Sequence, residues 1–252
     1  MGPRLRGGDG GWETFECFTI PNSRCCSMNL VIFDCDGTLV DSQHIIVAAM
    51  DRAFETHGLD ALPRQKTLSI VGLSLQEAVS RLIPKANDAF VARVAQSYKD
   101  AFGVLRRDPS NHEPLYPGAL DVIRLLSARE DTVLGVATGK SRRGVAALFD
   151  RMELHPHFVT IQTADTHPSK PHPSMIVTAI QEAGATTAST VMIGDTSFDM
   201  EMARNADVAS IGVAWGYHPV DALKVAGAHE IVGSYDDLIP VIDRLLSPEA
   251  QP

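Results

Sequence analysis

The feature that most constrains this chain is the run Leu30-Val31-Ile32-Phe33, four apolar residues that end on Asp34-Cys35-Asp36-Gly37. A short apolar run closed by a glycine turn reads as a strand buried on both faces, and such strands belong to parallel sheets covered by helices on both sides. In an extended chain, side chains two apart share a face, so Asp34 and Asp36 are expected on one side at the strand's C-terminal end. Open α/β sheets bind their ligands at that end. Taken alone, the run is equally a strand that stops in a solvated acidic turn.

The rest of the chain supplies partners for such a strand. From Tyr116 onward strands and helices alternate. Strands are expected at 132–137, 158–161, 190–193, 208–213 and 230–232. Helices are expected at 117–126, 141–149, 173–183, 197–205, 219–226 and 236–246. This alternation predicts a doubly wound parallel sheet with right-handed crossovers. Between Ser42 and Arg107 no strand signal intrudes. A helix opened by Asp41-Ser42, expected as its N-cap, and running to about His57 carries Ile45, Ile46, Ala49, Met50 and Phe54 at helical spacing. Further helices are expected at 75–83 and 87–106, the latter with the stripe Phe90, Val94, Tyr98 and Phe102, read as core. Roughly 65 residues of helix is too much for one crossover, and predicts an all-helical domain inserted into the sheet domain. The expected division is 28–43 and 113–252 for the α/β core and 44–112 for the helical insert. Residues 1–27, rich in glycine and without the apolar stretch of a signal peptide, are expected to be a disordered or foreign extension.

Composition excludes some partners. The chain has 252 residues, 44% hydrophobic and 21% charged, with a formal net charge of −9. That balance lacks the basic footprint of a nucleic-acid binder, and no apolar run approaches the ~20 residues of a membrane helix. Cys17, Cys25, Cys26 and Cys35 form neither a disulfide framework nor a zinc spacing, which favours a cytoplasmic setting. Cys35 is expected to be a buried filler.

Three more signals fall at expected strand ends. Thr138-Gly139 opens a helix and could hold an anion on its hydroxyl and free N–H groups. Lys170 stands in Ser169-Lys170-Pro171, stiffened by proline. Gly194-Asp195-Thr196-Ser197-Phe198-Asp199 delivers a second carboxylate through a turn, with Asp199 also placed for helix capping. Crowded carboxylates need a balancing cation, and Mg²⁺, which prefers oxygen ligands, is the expected one. Together these are the parts needed to hold a phosphoryl group.

In this order the four segments resemble the motifs of the haloacid dehalogenase superfamily, over about residues 29–246, and most closely its phosphoglycolate-phosphatase-like and phosphomutase-like members. The resemblance implies a Rossmann-like core with a helical cap of the first type. It implies a Mg²⁺-dependent phosphatase acting on a small phosphorylated metabolite. Asp34 would be the nucleophile that forms an aspartyl-phosphate, and Asp36 the acid and base. Thr138, Gly139 and Lys170 would bind phosphate. Asp34, the Asp36 carbonyl and Asp195 would hold the metal, with Asp199 in support. A sugar phosphomutase is the alternative. Such enzymes carry a histidine further along the first cap helix, at a place that corresponds here to Ile46; His44 is displaced by about 200° around a helix. A non-catalytic relative is the second alternative, although no motif carboxylate is missing. Arg142 and Arg143 are expected to coat a helix surface. Ile70 to Ser74 is a candidate specificity loop or a plain inter-helix turn. Trp215-Gly216-Tyr217-His218 would line the site rim or pack a loop.

Overall fold

The structure, a computed structural model, describes residues 28–247. The expectations for residues 1–27, and for Cys17, Cys25 and Cys26 within them, lie outside the described residues. Six parallel strands form one sheet: β1 (Asn29–Phe33), β2 (Thr132–Thr138), β3 (Phe158–Thr163), β4 (Thr190–Gly194), β5 (Ala209–Val213) and β6 (Glu230–Val232), in the order β3-β2-β1-β4-β5-β6. The order reverses beside β1, and the crevice outside β1 and β4 is the switch point where such sheets bind ligands.

The apolar runs work as anticipated. Val31 and Phe33 face one side of the sheet with Val136, Leu148 and Ile193. Leu30 and Ile32 face the other with Met175, Ile176 and Met192. Both faces are therefore sealed, as a parallel sheet requires.

Four helices leave the sheet after β1: α1 (Gln43–Thr56), α2 (Arg64–Leu68), α3 (Leu75–Leu82) and α4 (Asp88–Leu105). They pack around a cluster of their own that includes Met50, Phe54, Leu73, Val79 and Val94. The core then adds α5 (Ala119–Ser127), α6 (Arg142–Met152), α7 (Ser174–Ala183), α8 (Ser197–Asn205), α9 (Val220–Ala226) and α10 (Leu238–Leu246).

Two local expectations are corrected. Of the expected Asp41-Ser42 cap, Ser42 occupies the N-cap position of α1 without a side-chain capping bond, its hydroxyl donating instead to Asp36 Oδ1 at 2.6 Å, while Asp41 Oδ1 accepts from the Gln43 N–H at the helix start at 3.3 Å. The extended alternation placed on Asp34 and Asp36 stops early, because β1 ends at Phe33. The chain then turns, with Gly37 in the left-handed region (φ 89°) and its N–H donating to Val40 O at 2.9 Å.

Candidate active site

Phe33 is in register with Val136 of β2 and Ile193 of β4, so three neighbouring strands deliver their next residues at one level. Asp34 follows β1 and Asp195 follows β4, and both are buried. Lys170 arrives from the segment before α7 and is also buried. Its ammonium lies 3.1 Å from Asp34 Oδ1 and 2.6 Å from Asp199 Oδ1. Asp199 meets the sequence's capping expectation as well. Its Oδ2 accepts from the N–H and hydroxyl of Thr196 at 3.1 and 2.7 Å, closing a capping box on α8. Asp195 accepts from the Thr38 hydroxyl at 2.9 Å and from the Tyr217 N–H at 2.9 Å. A Cβ at Gly37 or at Gly216 would collide with its carboxylate. Both glycines are thus required by close approach to Asp195.

One oxygen from each of Asp34, Asp195 and Asp199 lies within 4.8 Å of the others, and all three residues are buried. Burial raises the Asp34 carboxyl to a pKa of about 6; Lys170 pulls it down and Asp199 pushes it up. Burial holds Asp195 well above the usual carboxylate range, Asp199 and Asp34 adding to the effect. Burial presses Lys170 toward the neutral form, but Asp199 and Asp34 outweigh it and keep it charged. Three buried carboxylates facing one ammonium are short of positive charge. An all-oxygen donor set of this kind fits a hard divalent cation.

Asp36 is set apart from this cluster. Its Oδ1 accepts from Ser42 at 2.6 Å and from Lys140 Nζ at 2.8 Å. Lys140 also reaches Glu113 Oε1 at 2.7 Å, and the Glu113 side chain is 1% exposed. Burial acts to discharge Lys140, and the Asp36 and Glu113 carboxylates reverse that and hold its pKa above the ordinary lysine value. Neither Lys140 nor Glu113 was singled out by sequence reasoning.

Thr138 is buried at the end of β2, and its hydroxyl favours the charged form of Asp34. Gly139 lies under the helical insert: a Cβ there would stand 2.5 Å from the carbonyl oxygens of Gly72 and Leu73. The loop at 70–74 therefore rests directly on the Thr138-Gly139 turn, and the Ser74 N–H donates to Ser169 Oγ at 2.9 Å. The 215–218 loop belongs to the site. Trp215 Nε1 donates to Thr38 O at 3.2 Å, and the Ser42 N–H donates to the Tyr217 hydroxyl at 3.0 Å. Arg142 and Arg143 are exposed at the start of α6, as expected of a helix surface.

A doubly wound sheet that gathers carboxylates and a lysine at its switch point, under a helical insert after the first strand, defines a class of α/β hydrolytic enzyme. Residues 31–213 match the haloacid dehalogenase-like hydrolase family, and the chain belongs to that family. It is 35% identical to the probable phosphatase IndB of Dickeya dadantii, over 88% of this chain and 97% of that protein. It is 31% identical to a phosphoglycolate phosphatase of Pseudomonas putida, over 77% and 73%. A hydrolase from Pseudomonas syringae superposes with a TM-score of 0.76 at 25% identity, over 87% of this chain and all of that one. The expectation of an enzyme of the phosphatase kind is met at the level of the family and its named members. No helix among the described residues is long and apolar enough to cross a membrane.

Proposed function

We propose that this protein is a Mg²⁺-dependent phosphatase that hydrolyses a small phosphorylated metabolite, of the kind of 2-phosphoglycolate, through an aspartyl-phosphate on Asp34. The observation that carries the reading is the pairing of two differently held carboxylates. Asp34 is paired with Lys170 beside two more buried carboxylates, and Asp36 stands two residues on in a separate network. Nucleophile and proton carrier need such unlike surroundings.

In this reading Asp34 attacks phosphorus while the bond to the ester oxygen breaks, and Asp36 gives its proton to that oxygen. Asp36 then takes a proton from water as the water oxygen bonds to phosphorus and the bond to Asp34 breaks. Thr138 and the Gly139 N–H hold phosphate oxygens, and Lys170 balances the charge of nucleophile and phosphate. Asp34, the Asp36 carbonyl and Asp195 would hold Mg²⁺, with Asp199 keeping Lys170 in place. When bound, the ion would neutralise charge that the lysine alone leaves uncompensated. The helices α1–α4 act as the cap, closing residues 70–74 over the phosphate turn and excluding water. A cytoplasmic setting stays part of the proposal, in keeping with the free, buried Cys35.

The hydrolase reading is favoured over a sugar phosphomutase by Ile46. It is 5% exposed and packs with Leu68 and Val71, so the place of the mutase-like histidine is apolar. The test follows inorganic phosphate from 2-phosphoglycolate and from p-nitrophenyl phosphate with Mg²⁺. Alongside, β-glucose 1-phosphate is supplied with a trace of glucose 1,6-bisphosphate. Stoichiometric phosphate release, abolished in Asp34→Asn, supports the proposal. Fast formation of glucose 6-phosphate with little free phosphate replaces it with the mutase. Absence of turnover on a broad panel of phosphate esters leaves the non-catalytic alternative.

A further inference from the structure

We infer that Lys140 is a positioning residue for the acid–base step: it holds the Asp36 carboxylate by one oxygen, and helix α4 of the cap covers that hold. The inference rests on the role proposed for Asp36.

Both donors to Asp36 converge on Oδ1. Ser42 Oγ lies at 2.6 Å and Lys140 Nζ at 2.8 Å. Among the described residues no donor meets Oδ2, so Oδ2 is the oxygen left to carry a proton to the ester and from the water. Two donors on one oxygen also stop the carboxylate from rotating. That matters because proton transfer requires the donor oxygen within hydrogen-bond reach of its partner.

Lys140 is itself tightly placed. A buried ammonium is tolerated only when paired, and Glu113 would suffice for that. The side chains of Lys140, Asp36 and Glu113 are 9%, 12% and 1% exposed, and the lysine bridges the two carboxylates rather than serving Glu113 alone. Glu113 lies in the segment that returns from the cap to the sheet, and Arg151 stands 3.5 Å behind it. From the cap itself, the Phe102 ring of α4 lies 5.3 Å from Lys140 Nζ. Tyr98, one turn earlier on α4, is half-buried and lies close enough to feel Lys140, Asp36 and Glu113. With α4 seated, water is kept from the ion pair; with α4 lifted, the pair meets a screening solvent and loosens. The acid–base group is thereby fully held only in the closed enzyme.

The test compares kcat/KM on p-nitrophenyl phosphate, whose leaving group departs without a proton, with an alkyl phosphate that needs one. This ratio reports the step in which the ester oxygen leaves. Lys140→Met is expected to lose on the order of 10²-fold on the alkyl ester and at most about 10-fold on the aryl ester. Lys140→Arg, which can still hold a carboxylate, should recover much of the loss. Phe102→Leu should shift the ester preference in the same direction by a few-fold. Asp36→Asn is the reference. If Asp36→Asn discriminates between the esters and Lys140→Met does not, the inference falls and the proposed function stands. If Asp36→Asn does not discriminate either, the role of Asp36 falls and the inference with it. Should Lys140→Met fail to melt cooperatively, an unchanged ester preference in both Lys140→Arg and Phe102→Leu overturns the inference; a shift in Phe102→Leu that Lys140→Arg largely escapes supports it.

Discussion

Replacing the proposed nucleophile should make the metal-free protein more stable. Asp34 has an ordinary pKa of 3.8, and burial, with Lys170 opposing and Asp199 adding, raises it to about 6 in the folded chain. A carboxyl whose folded pKa is raised binds its proton more tightly in the native state. Its charge therefore weighs against folding, fully above the folded value and not at all below the unfolded one. A shift of roughly two units corresponds to about 3 kcal/mol at pH 8. That figure already includes the attraction of Lys170; Asn in place of Asp34 removes the burden but leaves Lys170 and the Cys35 N–H a weaker acceptor, so a net gain of about 1–3 kcal/mol is expected. For a chain of this size each kcal/mol moves Tm by about 2–4 °C, which gives an increase of about 2–12 °C in EDTA at pH 8. At pH 5 the wild-type carboxyl is largely protonated when folded, and the difference should shrink. Mg²⁺ should act oppositely, raising the wild-type Tm more than the variant's, since a ligand at 100 times its Kd adds about 2.7 kcal/mol. The assay is thermal melting of both proteins in EDTA at pH 5 and 8, and in Mg²⁺ at pH 8. A variant that melts below the wild type in EDTA at pH 8, or a difference that does not change with pH, refutes the reasoning.

Chelation should abolish phosphate release, with Mg²⁺ restoring it and Ca²⁺ not, because Ca²⁺ takes more ligands in looser geometry; full turnover in excess EDTA counts against the oxygen cluster as the metal site. Gly216→Ala should lower activity by on the order of 10²-fold, since its Cβ would enter the space of the Asp195 carboxylate; a phosphate assay together with a weakened Mg²⁺-induced Tm shift checks this. Gly139→Ala should raise KM and increase protease cleavage within the cap, because its Cβ would press on the Gly72 and Leu73 carbonyls. Unaltered KM and digestion would show that the loop at 70–74 yields at no cost.

What could be read from the sequence follows from how local each signal is. β1 and β4 announce themselves, because a strand buried on both faces must be an unbroken apolar run, and each ends on its aspartate within one turn. Helix α2 has five residues, too few for a 3.6-residue period to register. Ser42 satisfied the preference for an N-cap, yet a nearby carboxylate competes for the same hydroxyl and wins it. Lys140 and Glu113 are 27 positions apart, one beside a helix start and the other in a proline-bearing linker, both places where charge is usually solvated. The one available signal was the lysine's position immediately after Thr138-Gly139, at the reactive end of a buried strand.

The four aspartates of the site also show why a capping role and a site role need not compete. A carboxylate has two oxygens and about four acceptor positions. Asp199 gives Oδ2 to the Thr196 cap and Oδ1 to Lys170, so one side chain both starts α8 and fixes the lysine. Asp195 is met on Oδ1 by Thr38 and on Oδ2 by Tyr217, which locks its plane while leaving lone pairs for an ion. Asp34 is met on Oδ1 by the Cys35 N–H at 2.7 Å and by Lys170, and Asp36 on Oδ1 by Ser42 and Lys140. Asp195 and Asp199 are thus gripped on both oxygens, whereas the donors to Asp36 converge on Oδ1; Asp34 has two donors on Oδ1 and the Thr138 hydroxyl beside it. A proton carrier requires this asymmetry: rigid enough to be aimed, with an oxygen left to take and give a proton.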